Sequence, residues 1–249
     1  MSTETKGRGW QGAVMKLMGA DDFEITVTGT EVVTDHYLRL SFTGGGLLAR
    51  IPVHPTMWVR AWFSSNGSLH QRGYTLVHPD PATDTFDIEF ALHDGTAADW
   101  ARTARPGDTL SVTVMGSDFA IGEPAPSGWL IAADTASLPA VNSLLDALAA
   151  AGDPAPAHIW LEYQHPSDRD LPVHLRPGDR IDWIEREHDG GTLVETVRAG
   201  AFDAAGQRGW VALDSKSTRA VTGILRNDYR LGRKGVKAMA YWKVGKPYA

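Results

Sequence analysis

The sequence contains no cysteine. That excludes disulfides, thiolate zinc sites, cysteine-ligated iron–sulfur clusters and thiol redox relays. Any redox role has to run through a bound cofactor. Basic residues are in the minority, with 24 Lys and Arg against 30 Asp and Glu, a net charge of −6. Nucleic-acid binders more often carry the opposite balance, so no nucleic-acid partner is expected. Long apolar runs are missing as well. No stretch approaches the roughly 20 apolar residues of a spanning helix, and residues 1–10 are polar, without an apolar run of signal-peptide length. The expected location is therefore the cytoplasm. No Ser-His-Asp or paired-carboxylate arrangement that would serve a hydrolase stands out. The nine histidines show no metal-ligand spacing, so no metal site is expected.

What is present is enough for one large or two modest cores in 249 residues. The first half reads as short strands. Phe23–Thr28 and Tyr37–Phe42 alternate apolar and polar residues, and Trp58–Phe63, Gly73–Val77, Thr85–Leu92 and Thr109–Val114 continue the series. His78-Pro-Asp-Pro81 reads as a turn. Thr43-Gly-Gly-Gly46 reads as a hairpin loop with no helix after it. One helix interrupts the strands, with Thr96 as its cap, Ala97, Trp100, Ala101 and Ala104 at helical spacing, and Pro106-Gly107 as its end. The character then changes. Glu123–Ser127 is Pro-rich and reads as a linker between a domain over 1–122 and another over 128–249. Trp129–Ala133 is a continuous apolar run, as in a parallel strand buried on both faces. A helix with Leu138, Val141, Leu144, Leu145 and Leu148 on one face follows, with Gly152 past its end. Strands are expected at His158–Tyr163, Arg180–Ile184, Gly209–Leu213 and Val236–Trp242. A helix capped by Asp214 or Ser215 precedes the last of these. The expected fold is an antiparallel β-barrel followed by an open α/β sheet. The two Arg-Pro-Gly-Asp stretches, 105–108 and 176–179, read as turns.

The residues with chemistry to offer fall in the first half. Arg72-Gly-Tyr-Thr75 stands at the start of a strand after a loop. A guanidinium pairs well with a diphosphate, a tyrosine face packs on a flat ring, and a threonine can hydrogen-bond the ring edge. About twenty residues on, Leu92-His-Asp-Gly-Thr-Ala-Ala-Asp-Trp100 runs from a strand through small residues into a helix. A helix N-terminus offers free N–H groups and a positive dipole end to a phosphate, and Gly95, Ala97 and Ala98 allow close approach.

In these stretches the chain resembles the siderophore-interacting proteins, FAD-dependent ferric-siderophore reductases of the ferredoxin-reductase-like superfamily. The resemblance runs from about Phe23 to Gly245. It rests on Val27–Gly44, Arg72–Thr75, Phe86–His93 running into Gly95–Trp100, Asp134-Thr-Ala-Ser-Leu-Pro-Ala140, and Ala240-Tyr-Trp-Lys-Val-Gly245. Arg8-Gly-Trp-Gln-Gly12 and Met115-Gly-Ser117 look most like the siderophore-interaction domain fused to mycobacterial iron-siderophore importers. The resemblance implies an FAD cofactor held by Arg72, Tyr74, Thr75, His93, Gly95, Thr96, Ala97, Ala98 and Trp100. It implies cofactor contacts also from Asp134, Thr135, Tyr241 and Trp242, with NADH or NADPH as electron donor. A ferric siderophore is the implied substrate, with Lys243 and Lys246 near it, and an importer is a possible docking partner of a monomer. Two departures stand out. Leu76, Val77 and His78 occupy the region where the family commonly carries a second basic residue. Leu213-Asp214 replaces a common Gly-Glu pair. The Arg230, Arg233, Lys234 and Lys237 cluster reads as a solvated face.

Overall fold

The structure is a computed structural model that describes residues 21–65, 67–114, 119–121 and 125–244. Arg8–Gly12, Met115–Ser117, Lys246 and the first two linker residues lie outside the described residues. The chain divides into two compact units, one running through Phe119 and the other from Ala120 to Lys246.

The first unit holds β1 (Asp21–Thr34), β2 (Tyr37–Thr43), β3 (Trp58–Ser65), β4 (Ser68–Thr75), β5 (Val77–Asp80), β6 (Thr85–Ala91) and β7 (Thr109–Val114). They form one sheet in the order β4-β3-β7-β1-β2-β6-β5, antiparallel throughout. Alternation along each strand sends one set of side chains inward, including Ile25, Val27, Leu40, Phe42, Val59, Ile88 and Val112, all nearly fully buried. Although β4 and β6 lie far apart in this order, the Tyr74 and Phe90 rings approach to 4.6 Å. The sheet is therefore curled as a half-barrel around one core.

Four expectations need correction here. Arg72–Thr75 ends β4 rather than starting a strand, and Leu76 separates β4 from β5, so no strand runs over Gly73–Val77. Residues 43–46 are not a hairpin loop, because a single helical turn, α1 (Leu47–Arg50), follows them. Its open end is capped from 38 residues away: Asp84 accepts from the N–H of Gly46 at 2.6 Å and of Leu48 at 2.9 Å. A local motif cannot show that partner. Residues 78–80 belong to β5 rather than to a turn, and the chain reverses over residues 81–84. The barrel helix, α2 (Thr96–Thr103), begins after Gly95, and Thr96 does not cap it.

The second unit is a five-stranded parallel sheet in the order β10-β9-β8-β11-β12. Its strands are β8 (Trp129–Asp134), β9 (Ala157–Tyr163), β10 (Arg180–Glu185), β11 (Arg208–Ala212) and β12 (Val236–Ala238). Every residue of β8 is buried, as its apolar run demands for a central strand. Helix α3 (Leu138–Ala150) buries Leu138, Val141, Leu144, Leu145 and Leu148 on one face, and the chain leaves it through Gly152 at φ +64°. Helix α4 (Gly191–Ala199) is an element the sequence reading did not anticipate. It is short, and Leu193 and Val197 alone bury fully. Helix α5 (Ser215–Asn227) packs Val221, Ile224 and Leu225 into the same core. The last strand is shorter than expected. Beyond Ala238 the regular strand ends, but bonds from Met239 N to Val211 O and Tyr241 N to Leu213 O, both 2.9 Å, carry the chain on to a bridge between Trp242 and Asp214. The strand order reverses between β8 and β11, where ligands of open α/β sheets gather beyond the carboxyl ends of the strands.

Candidate functional site

In the first unit, β4 sends Arg72 and Tyr74 to one face and Thr75 to the other. Tyr74 lies in an aromatic cluster with Phe63 (6.0 Å), Phe90 and, through both, Trp100 (5.6 Å from Phe63 and 6.4 Å from Phe90). Burial pushes the Tyr74 hydroxyl well above its ordinary pKa, so it stays protonated at any working pH. The cluster ties β4 to α2 and so sets Arg72 and the helix end in one frame. Trp100 is part of that packing, and its partly buried ring lies against the core of the barrel.

The Arg72 guanidinium donates through Nη1 to the carbonyl of Gln71 at 2.7 Å and forms no ion pair among the described residues. Thr75 is buried, and its Oγ1 has no hydrogen-bond partner among the described residues. A buried hydroxyl left in that state is uncommon and costs stability, so it calls for a partner. Gly95 enters α2 at φ +151°, ψ 160°, a conformation essentially reserved for glycine. A Cβ there would also crowd the His93 ring, at 3.3 Å from Cε1. No side chain caps α2, and the Thr96, Ala97 and Ala98 amides carry no hydrogen bond among the described residues. The exposed His93 keeps Nδ1 2.8 Å from the carbonyl oxygen of Asp94. An unpaired guanidinium, an uncapped helix end and an orphaned buried hydroxyl fit a ligand carrying both a diphosphate and a polar-edged flat ring.

In the second unit, the carboxyl end of every strand contributes to one buried network. Asp134 closes β8, Glu162 lies near the end of β9, Arg186 follows β10, Asp214 follows β11 and Trp242 lies beyond β12. Arg186 pairs with Glu162 through Nη1 and with Asp214 at 3.3 Å, and its guanidinium lies 4.7 Å from the centre of the Trp242 ring. The Trp242 indole N–H donates to Asp134 Oδ2 at 2.7 Å. The other Asp134 oxygen accepts from the Ser137 amide at 3.0 Å. Burial raises the Asp134 carboxyl, against the bonds from Trp242 and Ser137. Burial likewise pushes Glu162 up to about 7 despite Arg186. Asp214 is also desolvated, yet its bonds to Ser217 and Lys216 hold it below the usual range.

Thr135, next to this network, is buried. Tyr241 bonds through its amide to the carbonyl of Leu213 at 2.9 Å, and its ring lies 6.5 Å from that of Trp210. Lys243 is exposed. Sequence reasoning found Asp134 and Trp242 but not the pair they form, 108 residues apart. It missed Glu162 and Arg186 altogether. The available signal was position, since each charged residue ends or follows an expected strand.

Of the two helices that start beside the switch between β8 and β11, α5 is capped by the chain itself and α3 offers few free amides. At α5, the amide of Ser215 bonds Trp242 O, those of Lys216 and Ser217 bond the Asp214 carboxylate, and that of Thr218 bonds Asp214 O. Asp214, rather than Ser215, is thus the cap. At α3, no side chain caps the helix, Pro139 has no N–H, the amide of Ala140 bonds Ser137 O, and that of Leu138 carries no hydrogen bond among the described residues.

Residues 21–117 match the siderophore-interacting FAD-binding domain, and residues 126–245 match the siderophore-interacting protein family. The chain belongs to the siderophore-interacting proteins. Its first unit is an FAD-binding domain of that family, and the features around Arg72, Thr75 and Gly95 suit the cofactor. The mycobactin import ATP-binding/permease protein IrtA of Mycolicibacterium smegmatis is 32% identical over 245 residues, covering 96% of this chain and 28% of IrtA. The chain thus spans under a third of that relative's length. The ferric vibriobactin reductase ViuB of Vibrio cholerae is 29% identical over 185 residues, covering 70% of this chain and 65% of ViuB. The siderophore-interacting protein of Acinetobacter baumannii superposes with a TM-score of 0.77 at 22% identity, covering 90% of this chain and 92% of that one. That likeness bears on the fold.

Proposed function

We propose that the protein is an FAD-dependent reductase of ferric siderophores that releases Fe(II). The observation that carries this reading is the pairing, on a siderophore-interacting FAD-binding domain, of the orphaned Thr75 hydroxyl with the uncapped N-terminus of α2. Similarity to a ferric vibriobactin reductase supports the acceptor class. FAD supplies the redox chemistry when bound, taking electrons in pairs and passing them singly to iron. The chain's own part is to bind and orient. Arg72 neutralises diphosphate charge. Gly95 lets phosphate oxygens reach the Thr96–Ala98 amides at the positive end of α2. Thr75 Oγ1 gains the partner it lacks by bonding the ring edge, and Tyr74 offers an apolar ring with a neutral hydroxyl. His93 lines the same approach. The exposed Lys243 presents positive charge to an anionic iron complex. Fe(II) is the weaker guest of hard oxygen ligands, so reduction frees it. No side chain has to act as nucleophile or general base.

The donor in this reading is NADH or NADPH, and the setting is a cytoplasmic monomer supplied by an importer, as the similarity to IrtA suggests. The capped end of α5 and the scarcity of free amides at α3, where Pro139 has no N–H, favour a second reading of the donor. In that case a ferredoxin-like protein delivers the electrons. The test is anaerobic titration of the FAD-loaded protein with NADH, NADPH and reduced ferredoxin, then addition of a ferric siderophore with an Fe(II) chromogenic chelator. Bleaching of the flavin and stoichiometric Fe(II) support the proposal. A protein that stays colourless with FAD overturns it.

A further inference from the structure

Trp242 covers a buried cluster that is short of positive charge. Arg186 meets two carboxylates there, Glu162 and Asp214, each 2% exposed. A third, Asp134, is 4% exposed and accepts the Trp242 indole N–H at 2.7 Å. Glu162 gives one oxygen to Arg186. The other, Oε1, is buried with no hydrogen-bond partner among the described residues. Ionised, that oxygen is buried charge without a donor, which a protein interior tolerates poorly. The cluster has little slack to rearrange around it. Gly190 lies so near Ser217 Oγ that a Cβ would collide with it, 3.2 Å from Arg186 Nη1.

The other charged groups of the surrounding elements are taken or lie in solvent. On β10, Asp182 is paired with His158 and Arg180. Beyond β9, Asp168 accepts the Gln164 and His165 amides. Arg169 lies over the ring of Tyr163, which alternates to the opposite face of the strand from Glu162. Glu185, Glu187, His188 and Asp189 beside Arg186 are exposed, as are Glu195 and Arg198 on α4 and Lys216 on α5.

The cover itself is the part of the sheet that lifts most easily. Glu162 and Asp134 stand on β9 and β8, which have a strand on either side, whereas β12 is an edge strand of three residues. Past β12 the main chain is held by Met239 N to Val211 O, Tyr241 N to Leu213 O and Ser215 N to Trp242 O, each at 2.9 Å. The Trp242 ring adds its bond to Asp134 and its contact with Arg186, 4.7 Å from the ring centre. Lys243 and Val244 are exposed. An edge segment with so few bonds opens at lower free energy than an interior strand.

We infer that residues 239–242 form a pH-gated latch, closed over the strand ends while Glu162 carries a proton and lifting as Glu162 ionises and water reaches the buried carboxylates. The inference concerns the second unit alone and does not depend on the reductase function proposed above. In the closed state burial pushes Glu162 from 4.5 up to about 7. In the lifted state it is hydrated and returns towards its ordinary value. The lifted population therefore grows by up to about ten-fold per pH unit between those values and levels off above them.

The experiment is hydrogen exchange of the full-length protein, followed by NMR from about pH 5 to about pH 8 and corrected for intrinsic amide exchange. Opening at the Met239, Tyr241 and Ser215 amides should rise about 40-fold between about pH 5 and 7, and about two-fold beyond. The Trp242 indole N–H, identified by its absence in W242F, should follow in step. At every pH these groups should exchange faster than the amides of Ile131 and Ala132 in β8, which wait for global unfolding. In E162Q, whose neutral amide stands in for the protonated acid, the rise should vanish. Corrected rates that do not change with pH overturn the inference, as do rates equal to those of β8. A rise that survives in E162Q also overturns it, because another group is then titrating. If E162Q fails to fold, infrared difference spectra of the wild type replace it. A buried protonated-carboxyl band that fades in step with latch opening supports the inference, and opening without such a band overturns it.

Discussion

Replacing Thr75 by valine should move two quantities in opposite directions. The side chains are close in shape, and position 75 pairs with Trp58 in an antiparallel ladder where a β-branched residue is at home. The Thr75 hydroxyl is buried without a partner among the described residues. An unsatisfied buried polar group costs about 1–3 kcal/mol. T75V removes that cost, so the apoprotein should gain about 1 kcal/mol, or roughly 4–8 °C in the melting temperature of a unit of this size. If the hydroxyl is kept for the cofactor, the holoprotein loses a hydrogen bond of about 0.5–1.5 kcal/mol, and FAD should dissociate about two- to ten-fold more readily. The assays are differential scanning calorimetry of the apoprotein and a fluorescence titration with FAD. A T75V apoprotein less stable than wild type, with unchanged FAD affinity, would refute the reasoning, because Thr75 would then be an ordinary satisfied core residue.

Gly95→Ala forces a side chain into a glycine-only conformation beside His93 and should cost about 1–3 kcal/mol of stability, with weaker FAD binding, by thermal melting and titration. Asp84→Ala removes both acceptors at the start of α1 and should destabilise the barrel by about 2 kcal/mol, while Asp84→Asn recovers part of the loss. Burial raises the Glu162 carboxyl from 4.5 to about 7, against Arg186 and with the Asp134 and Asp214 charges adding to the rise. Between those two values the folded chain holds a proton that the unfolded chain has released. This contribution is therefore fully present below about pH 4.5 and is lost as pH rises through 7. Melting curves across that window should fall with pH more steeply in wild type than in Glu162→Gln.

The period-two alternation of the barrel strands and the apolar run of β8 were legible because they report burial of whole faces. The Arg72–Thr75 and Gly95–Ala98 stretches, proposed above to hold the cofactor, stood out because each is a contiguous run of sequence. What escaped is what depends on distant partners. The turn α1 needs Asp84, and α4 has too few apolar positions for a clear helical period. The Asp134–Glu162–Arg186–Asp214–Trp242 network is drawn from five strand ends, so no window of sequence contains it. Its members look like ordinary polar residues after strands until the parallel sheet aligns them.

The most direct test of the account is anaerobic and optical. The FAD-loaded protein is reduced with one equivalent of donor and then mixed with a ferric siderophore in the presence of an Fe(II) chelator. The account predicts that the flavin absorbance returns in step with Fe(II) capture, at two irons for each flavin reoxidised. A reduced flavin that persists beside intact ferric siderophore, and reoxidises only when air is admitted, would contradict it.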